Sequence, residues 1–418
     1  YDSEKELIIG WVKFINSVDP DILIQYNGYD FDWKYVCARA KVLGIEYALE
    51  NLSRIESKPA YLHEDQLNTM AYGDNTMKYL KMYGVTQFDL MFIIKKEHKL
   101  ESYKLNAVAE HFTGDKKDDL SPADLFNYNT STKDKLALVV KYCAQDTWLL
   151  IELTLKLRII TNVIGMANIT MVPMQYIELR GQQIRVHTQI AYETKQEGYL
   201  IPASEYKPKT DISDEEEKFT GATVLEATPG AHFEPIAGLD FASLYPSIIK
   251  VKNLSYETVR CSHDQCKKNI IPQTNHWVCT KKNGITSILI GSLRDLRVNY
   301  YKNMAKKDTL TVEEKQLFTV VSQALKVILN ASYGVMGAEI FPLYFLPAAE
   351  ATTATGRHII LSTIEKCKQS GIGVLYGDTD SLFVKKPTPE QVEDIIAKAK
   401  SEHNIELEIE KEYRYVVL

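Results

Sequence analysis

Tyr376-Gly377-Asp378-Thr379-Asp380-Ser381 lies between two apolar runs, residues 372–375 and 382–384, and its reading decides the fold. Side chains alternate along a strand with a period of two, so the two carboxylates start on one side. Gly377 removes a side chain where the chain must bend tightly. The local reading is a hairpin whose tip presents negative charge. Taken alone, such a tip is an ordinary polar turn satisfying backbone amides. A third carboxylate changes the weighing: Asp240, in Leu239-Asp240-Phe241-Ala242-Ser243-Leu244-Tyr245-Pro246, ends an apolar strand and runs into a Tyr-Pro turn. Carboxylates of this kind, with substrate phosphates, hold paired magnesium ions.

At 418 residues, 45% hydrophobic and 25% charged, the chain has the length for two or three domains with substantial cores. No stretch approaches the ~20 uninterrupted apolar residues of a membrane span, and the first residues carry no signal-peptide pattern. Without an initiator Met, the chain is expected to be an internal piece of something longer. Six cysteines do not make a disulfide framework at this size, which points to a reducing compartment. A net charge of −6 argues mildly against nucleic-acid binding, but a local basic face decides that question, not the total.

Along the chain, residues 7–50 read as helix, strand, helix, and residues 60–95 as short apolar runs with turns. Helical spacing follows at Ser102–Phe112 and Asp134–Leu157. These alternations predict an α/β layer over the first ~160 residues. Ser204–Lys218, with Glu215-Glu216-Glu217, reads as a solvated excursion. Strand signals return at Ala222–Glu226 and Pro235–Phe241. A loop-rich insert spans Asn253–Gly284. Two long helices follow, joined near Asp308–Val312, where Thr311 and Glu314 offer a capping box. A helix (Ala349–Cys367), the carboxylate hairpin, another helix (Pro389–Ser401) and a terminal strand close the chain. On the second long helix Lys326, Asn330 and Tyr333, spaced i, i+4, i+7, share one face. A cation, an amide and a ring there suit a triphosphate and a stacked base pair. Arg297, on the preceding helix, adds a bidentate phosphate contact.

With these residues in place, the chain resembles the family B (alpha/delta-like) DNA polymerases. Asp240 to Ile249 is similar to their motif A, Lys326 to Gly334 to motif B and Tyr376 to Ser381 to motif C, in the family's order. Asn27-Gly28-Tyr29-Asp30-Phe31-Asp32 and Tyr142-Cys143-Ala144-Gln145-Asp146 resemble the second and third motifs of its 3′–5′ exonuclease. Leu179 to Gln183 and the turn Phe219 to Ala222 resemble delta-like members, which leans toward a eukaryotic or large-DNA-virus source. The resemblance implies an α/β and α+β multidomain fold: an RNase H-like exonuclease domain lacking its first strand, then a right-hand palm with helical fingers inserted. It implies an exonuclease domain over 1–165, a connecting segment over 166–234, palm over 235–287, fingers over 288–340 and returning palm over 341–418, with no thumb.

The implied roles follow residue by residue. Asp240 and Asp380, with the Phe241 carbonyl, would ligate two magnesium ions, and Asp378 would assist. Arg297, Lys326 and Asn330 would grip the deoxynucleoside triphosphate beside Ser243, Leu244 and Tyr333. Tyr245 would lie under the deoxyribose and clash with a 2′-hydroxyl, which is specificity by exclusion. In the exonuclease, Asp32 and Asp146 would bind two further magnesium ions while Tyr142 orients water near Asn27. The implied partners are primer–template DNA and dNTPs, with a sliding clamp or accessory subunits in the full-length protein. The implied setting is intracellular, in a nucleus or viral replication compartment, with no membrane.

Departures from the family pattern carry expectations too. The family's exonuclease also uses an Asp-x-Glu on an earlier strand, which precedes this chain, so the piece by itself is expected not to proofread. Glu410 falls where members place an acidic residue near the metals. Four positions past Arg297, where a second basic residue is usual, stands Tyr301, with Lys302 next. The insert holds Cys261, Cys266 and Cys279 with His263 and His276. Cys-x4-Cys followed by His276-x2-Cys permits a zinc site. Buried free thiols are the preferred reading, and the resemblance to archaeal members leaves a local disulfide open. Two other classes stand beside the polymerase: a protein that is primarily a 3′–5′ exonuclease, and a non-catalytic scaffold on a polymerase fold.

Overall fold

The computed structural model describes residues 1–69, 73–115, 120–129, 131–201 and 221–418. The acidic excursion Ser204–Lys218, and Phe219 and Thr220 of the expected turn, lie outside them. The chain forms two compact units, Tyr1–Asn168 with Val172–Gly181, and Ile169–Met171 with Gln182–Leu418.

The first unit begins with α1 (Glu4–Val18), whose N-cap Ser3 accepts the Glu6 N–H at 3.2 Å. Then come β1 (Ile22–Gln25), α2 (Asp32–Val42) and α3 (Glu46–Glu50), in the order read from the sequence. Residues 60–95 differ from expectation. Most of that stretch is one long hairpin, β2 (Tyr61–Thr69) and β3 (Gly73–Lys81), in continuous register from Tyr61↔Lys81 to Thr69↔Gly73. Its strand signal is weak because His63, Glu64, Asp65, Gln66 and Asn68 fill one arm with polar residues. β4 (Thr86–Asp89) runs parallel to β1 and leads directly into α4 (Leu90–Glu97). α5 (Leu105–Thr113), α6 (Pro122–Asn129), α7 (Lys133–Lys156), α8 (Ile159–Thr170) and α9 (Met174–Leu179) follow.

The end of β4 is the junction of this unit. The Asp89 carboxylate accepts the backbone N–H groups of Asn27 (2.9 Å), Tyr29 (3.1 Å) and Met91 (3.1 Å), so it holds the turn after β1 and caps α4 together. Asn27 adopts φ 62°, a left-handed conformation that asparagine tolerates better than most. Behind Asp89 lies Glu178, fully buried, accepting the Asp89 N–H at 2.8 Å and the Tyr29 hydroxyl at 3.0 Å. Burial first, then the Asp89 charge, hold the Glu178 carboxyl well above its ordinary range.

The second unit opens with α10 (Gln182–Gln196), then β5 (Ala231–His232), β6 (Ile236–Phe241), α11 (Leu244–Val251) and α12 (Ile285–Asp295). A π-helical turn, Leu296–Tyr301, passes into α13 (Lys302–Met304). α14 (Val312–Met336) starts from the expected capping box: Thr311 Oγ1 accepts the Glu314 N–H, and Glu314 accepts the Thr311 N–H at 2.8 Å. α15 (Leu346–Gln369), β7 (Gly373–Asp378), β8 (Ser381–Lys385), α16 (Pro389–His403), β9 (Leu407–Tyr413) and β10 (Val416–Val417) complete it. β7, β8, β6 and β9, in that spatial order, make a four-stranded antiparallel sheet. Its core joins Leu239 and Phe241 to Ile248 of α11, Ile359, Ile360 and Ile364 of α15 and Ile395 of α16. The strand expected at Ala222–Glu226 reduces to one bridge, Val224 opposite Asp378. Among the described residues no helix is long and apolar enough to cross a membrane.

A carboxyl whose pKa is raised on folding keeps its proton in the native state where the unfolded chain has lost it. Stability therefore falls as pH rises from about the ordinary glutamate value toward the raised one. Glu178→Gln keeps the shape and lets the amide donate to the Tyr29 oxygen, which itself donates to the Gln87 carbonyl at 3.3 Å. The melting temperature of Glu178→Gln minus that of the parent is expected to increase steadily between pH 5 and pH 8. A difference that stays flat across that range would contradict the assignment of a raised Glu178 pKa.

Candidate active site

Asp240 is the penultimate residue of β6, one of the two inner strands of the sheet. It pairs with Ser381 on one side and Glu408 on the other. The Phe241 N–H donates to the Asp380 carbonyl at 2.8 Å, which fixes the β7–β8 turn against the end of β6. The sequence reading put Asp378 and Asp380 on one strand face. Instead Asp378 ends β7, Thr379 and Asp380 are the turn, and Asp378 pairs with Ser381. The left-handed residue of this turn is Thr379, φ 47°, an unusual conformation for a β-branched side chain. Gly377 is needed for a different reason from the one expected. Its φ is not in the left-handed region, but a Cβ there would stand 2.8 Å from Leu382 Cδ2 and 3.1 Å from Leu225 Cδ1.

The charges gathered here interact. The Asp240 carboxyl is pushed up to about 6 by burial, then by the negative charges of Asp380, Glu410 and Glu408, against an opposing pull from Lys326. Asp380 is also raised, by burial first, with Asp378 and Glu410 adding repulsion and Lys326 opposing it. Asp378 is held by neighbours: its carboxylate accepts the Thr379 hydroxyl at 2.9 Å and the Tyr376 hydroxyl at 3.4 Å. Glu410 arrives through a β-bulge. Gly238 pairs with Lys411 and Leu239 with Ile409, so Glu410 is the extra residue of β9. Glu408 was missed in the sequence, although its period-two spacing from Glu410 was visible.

Around the carboxylates stand the expected cationic and aromatic groups. On α14, Lys326, Asn330 and Gly334 are exposed and Tyr333 half-buried, while Leu325, Ile328, Leu329 and Ser332 face the core. Arg297, in the π-helical turn, donates from Nε to the Ser322 carbonyl at 3.2 Å, one helical turn before Lys326. The Tyr245 and Tyr333 rings lie 4.5 Å apart. Gly356 of α15 makes room for Tyr245, since a Cβ there would stand 3.0 Å from the ring. Burial first, then Tyr333 and Asp380, push the Tyr245 hydroxyl up to about 12. Arg357 acts electrostatically on both tyrosines and donates to the Gly221 carbonyl at 2.7 Å. The Gly356-Arg357 pair gave no sequence signal beyond a glycine inside a helical pattern. Ser243, φ 53°, is the N-cap of α11 and spends no side-chain bond on capping, and Leu244 is buried behind it.

In the first unit, Asp32 opens α2, Asn27 holds the turn before it, and Tyr142 and Asp146 lie one turn apart on α7. Among the described residues none of these joins a group of three ligating side chains within 4.8 Å. The carboxylates around Asp240 are likewise spread more widely than that, whereas Cys261, His263, Cys266 and Cys279 do form such a group.

Residues 172–418 match DNA polymerase family B, and residues 1–108 match the family B exonuclease domain. The chain belongs to DNA polymerase family B. This family B chain is 35% identical over 438 residues to DNA polymerase 1 of Saccharolobus solfataricus, covering 100% of the chain and 46% of that protein. It is 33% identical to the DNA polymerase delta catalytic subunit of Drosophila melanogaster, covering 99% of the chain and 40% of that protein. The solved family B DNA polymerase of the hyperthermophilic archaeon Pyrobaculum calidifontis superposes with a TM-score of 0.69 at 28% identity, over 98% of this chain and 51% of that one. The family B chain thus spans about half the length of the relatives it matches, and archaeal and eukaryotic relatives match it at similar identity.

Gly377→Ala is expected to destabilise the second unit by about 1–3 kcal/mol, the range for overpacking a tight contact. Chemical denaturation checks this, and an unchanged midpoint would show that Leu225 and Leu382 yield freely.

Proposed function

We propose that the protein carrying this chain performs template-directed DNA synthesis, in which a primer 3′-hydroxyl attacks the α-phosphate of a deoxynucleoside triphosphate. The observation that carries this reading is the joining of Asp240 and Asp380 through adjoining backbone, with Lys326 as the cation acting on both. On this reading the β6–β9 sheet with its helices is the palm (235–287 and 341–418), and 288–340 are helical fingers inserted into it. Residues 166–234 connect the palm to an RNase H-like 3′–5′ exonuclease domain (1–165).

The donor set suits hard divalent cations: oxygen ligands, half-buried, negatively charged and mutually repelling. Asp240, Asp380 and the Phe241 carbonyl would hold two magnesium ions, and Asp378, held by Thr379 and Tyr376, would position the turn. Bound there, the ions supply acidification of the 3′-hydroxyl and neutralisation of the leaving pyrophosphate. Arg297, Lys326 and Asn330 grip the triphosphate, and the first N–H groups of α11, at Ser243 and Leu244, add donors from a helix N-terminus. The Lys302 N–H reaches back five residues to the Arg297 carbonyl, and in this wider turn Tyr301 and Lys302 flank the Arg297 face on either side. Lys302, the cation of that pair, would supply the second basic group of this grip. Tyr245, backed by Tyr333 and Gly356, excludes a 2′-hydroxyl. Duplex contacts are mainly to phosphates, salt-sensitive and sequence-tolerant. In the exonuclease domain Asp32 and Asp146 would bind metal, and Tyr142 would orient water beside Asn27.

Asp240→Asn in the full-length protein is expected to abolish primer extension while leaving 3′–5′ cleavage in place. Retained extension, or loss of both activities in a folded protein, would overturn the assignment. The same variant relieves repulsion. In magnesium-free buffer above pH 6 it should melt at a higher temperature than the parent, because the parent loses stability as pH rises from the ordinary aspartate value through about 6. Magnesium should then stabilise the parent more than the variant, and that advantage should shrink as pH falls through about 6, where protons compete.

Tyr245→Ala should raise ribonucleotide use relative to deoxyribonucleotide use on the order of 10–200-fold, the range for one misfitting group in a pocket. Single-nucleotide incorporation kinetics read this directly, and an unchanged ratio would remove Tyr245 from sugar selection.

A further inference from the structure

The insert between α11 and α12 contains a site that DNA synthesis does not use. Cys261, His263, Cys266 and Cys279 each offer one ligand atom, and those four atoms all lie within 4.8 Å of one another. The three cysteines are buried and form no disulfide, and the partly buried Trp277 packs against their cluster. Cys279 Sγ stands 3.5 Å from His263 Nδ1. His276, the histidine expected from the sequence, is turned elsewhere. Its Nδ1 accepts from Arg260 Nε at 2.9 Å and its Nε2 stands 2.6 Å from Glu350. His263 takes its place because it follows Cys261 by two residues and remains exposed at the rim, where an ion can enter.

Each sulfur also faces a backbone donor. The His263 N–H donates to Cys261, the Thr280 N–H to Cys266 at 3.3 Å and the Lys281 N–H to Cys279 at 3.4 Å. Amide donors aimed at sulfur stabilise thiolates, and they orient the ligands in the way that outer hydrogen bonds do around bound metals. A disulfide within the group would leave one thiol and the histidine without a purpose.

We propose that Cys261, His263, Cys266 and Cys279 bind one zinc ion in a closed tetrahedral Cys3His site. On binding, the three thiols give up their protons to solvent and the neutral imidazole donates a ring nitrogen. With four protein ligands no position stays open for substrate, so the ion is structural. It ties the two arms of the insert, bridged at Val259↔Val278, to the short 3₁₀ helix Asp264–Lys268. Asn253 stitches the same arms from below: its amide donates to the Cys279 and Lys282 carbonyls, and its oxygen accepts the Gly284 N–H at 2.7 Å. Gly284 is the N-cap of α12, so the ion sets the direction of the helix that leads to Arg297.

The test uses the protein carrying this chain, purified without a polyhistidine tag or chelator. Elemental analysis is expected to find one zinc per chain, released when a mercurial reagent modifies the thiols. Cobalt(II) in its place should give near-ultraviolet thiolate charge-transfer bands and intense tetrahedral visible bands. Cys279→Ser and His263→Ala should lose zinc to a chelator that leaves the parent loaded, while His276→Ala keeps it. An intact mass two hydrogens light, three reactive thiols with no metal, or octahedral cobalt bands would each overturn the proposal. So would zinc retained after Cys261→Ser. Because the cobalt spectrum is read on the unaltered chain, it decides the matter even where a variant fails to fold.

Discussion

Repulsion among carboxylates is the constraint that the second unit is built to withstand. Asp240 and Asp380 sit on adjoining backbone, with Glu408 and Glu410 on the next strand, and Lys326 opposes their charge in both cases. Nothing in such a cluster favours folding. It persists because the backbone beneath it is over-determined: β6 is paired on both sides, buried through most of its length, and tied to the turn by the Phe241 to Asp380 bond. The sheet supplies rigidity, and the carboxylates exploit it.

Local irregularities then aim the side chains. Thr379 and Ser243 both adopt left-handed backbone without being glycine, one in each segment that presents a carboxylate. The bulge at Glu410 inserts a residue beside the same cluster. The π-helical turn carrying Arg297 is a third departure from regular geometry. Regular strands and helices would place these groups at fixed intervals that do not converge. Strained turns, a bulge and a widened helical turn are how a periodic backbone brings unevenly spaced residues together.

Much of the second unit was legible because its chemistry sits on strongly patterned segments. The apolar runs flanking Asp378 and Asp380 defined the hairpin, and the Lys326, Asn330, Tyr333 stripe is the exposed side of a helix whose other side is core. What could not be read were non-local facts. Period-two logic put Asp378 and Asp380 on one strand, but β7 stops at Asp378 and Asp380 belongs to the two-residue turn that follows, which broke the period. Gly377 looked like a turn residue, yet the reason for it is the close approach of Leu382 across the hairpin and of Leu225, more than a hundred residues earlier. Choosing between His263 and His276 depended on Glu350, on a helix far along the chain. In the first unit, Asp89 and Glu178 were invisible because a buried carboxylate satisfied by distant backbone amides leaves no pattern around itself.

α14 shows how these pieces combine. None of residues 312–320 is buried and most are exposed, so that half gains little from packing and relies on its Thr311–Glu314 box and on rings contributed by Tyr300, Tyr301 and Phe318. The other half is rooted in two cores, with Leu329 and Met336 in one and Ile328 and Val335 in the other. Lys326 and Asn330 stand where the exposed half meets the rooted half, beside the Ser322 carbonyl that receives Arg297. Local stability follows packing density, so the groups proposed to grip the triphosphate sit at the boundary between a firm base and a looser tip. A grip placed there keeps its register with the carboxylates, while the turns beyond it are held only by their own caps and aromatic contacts.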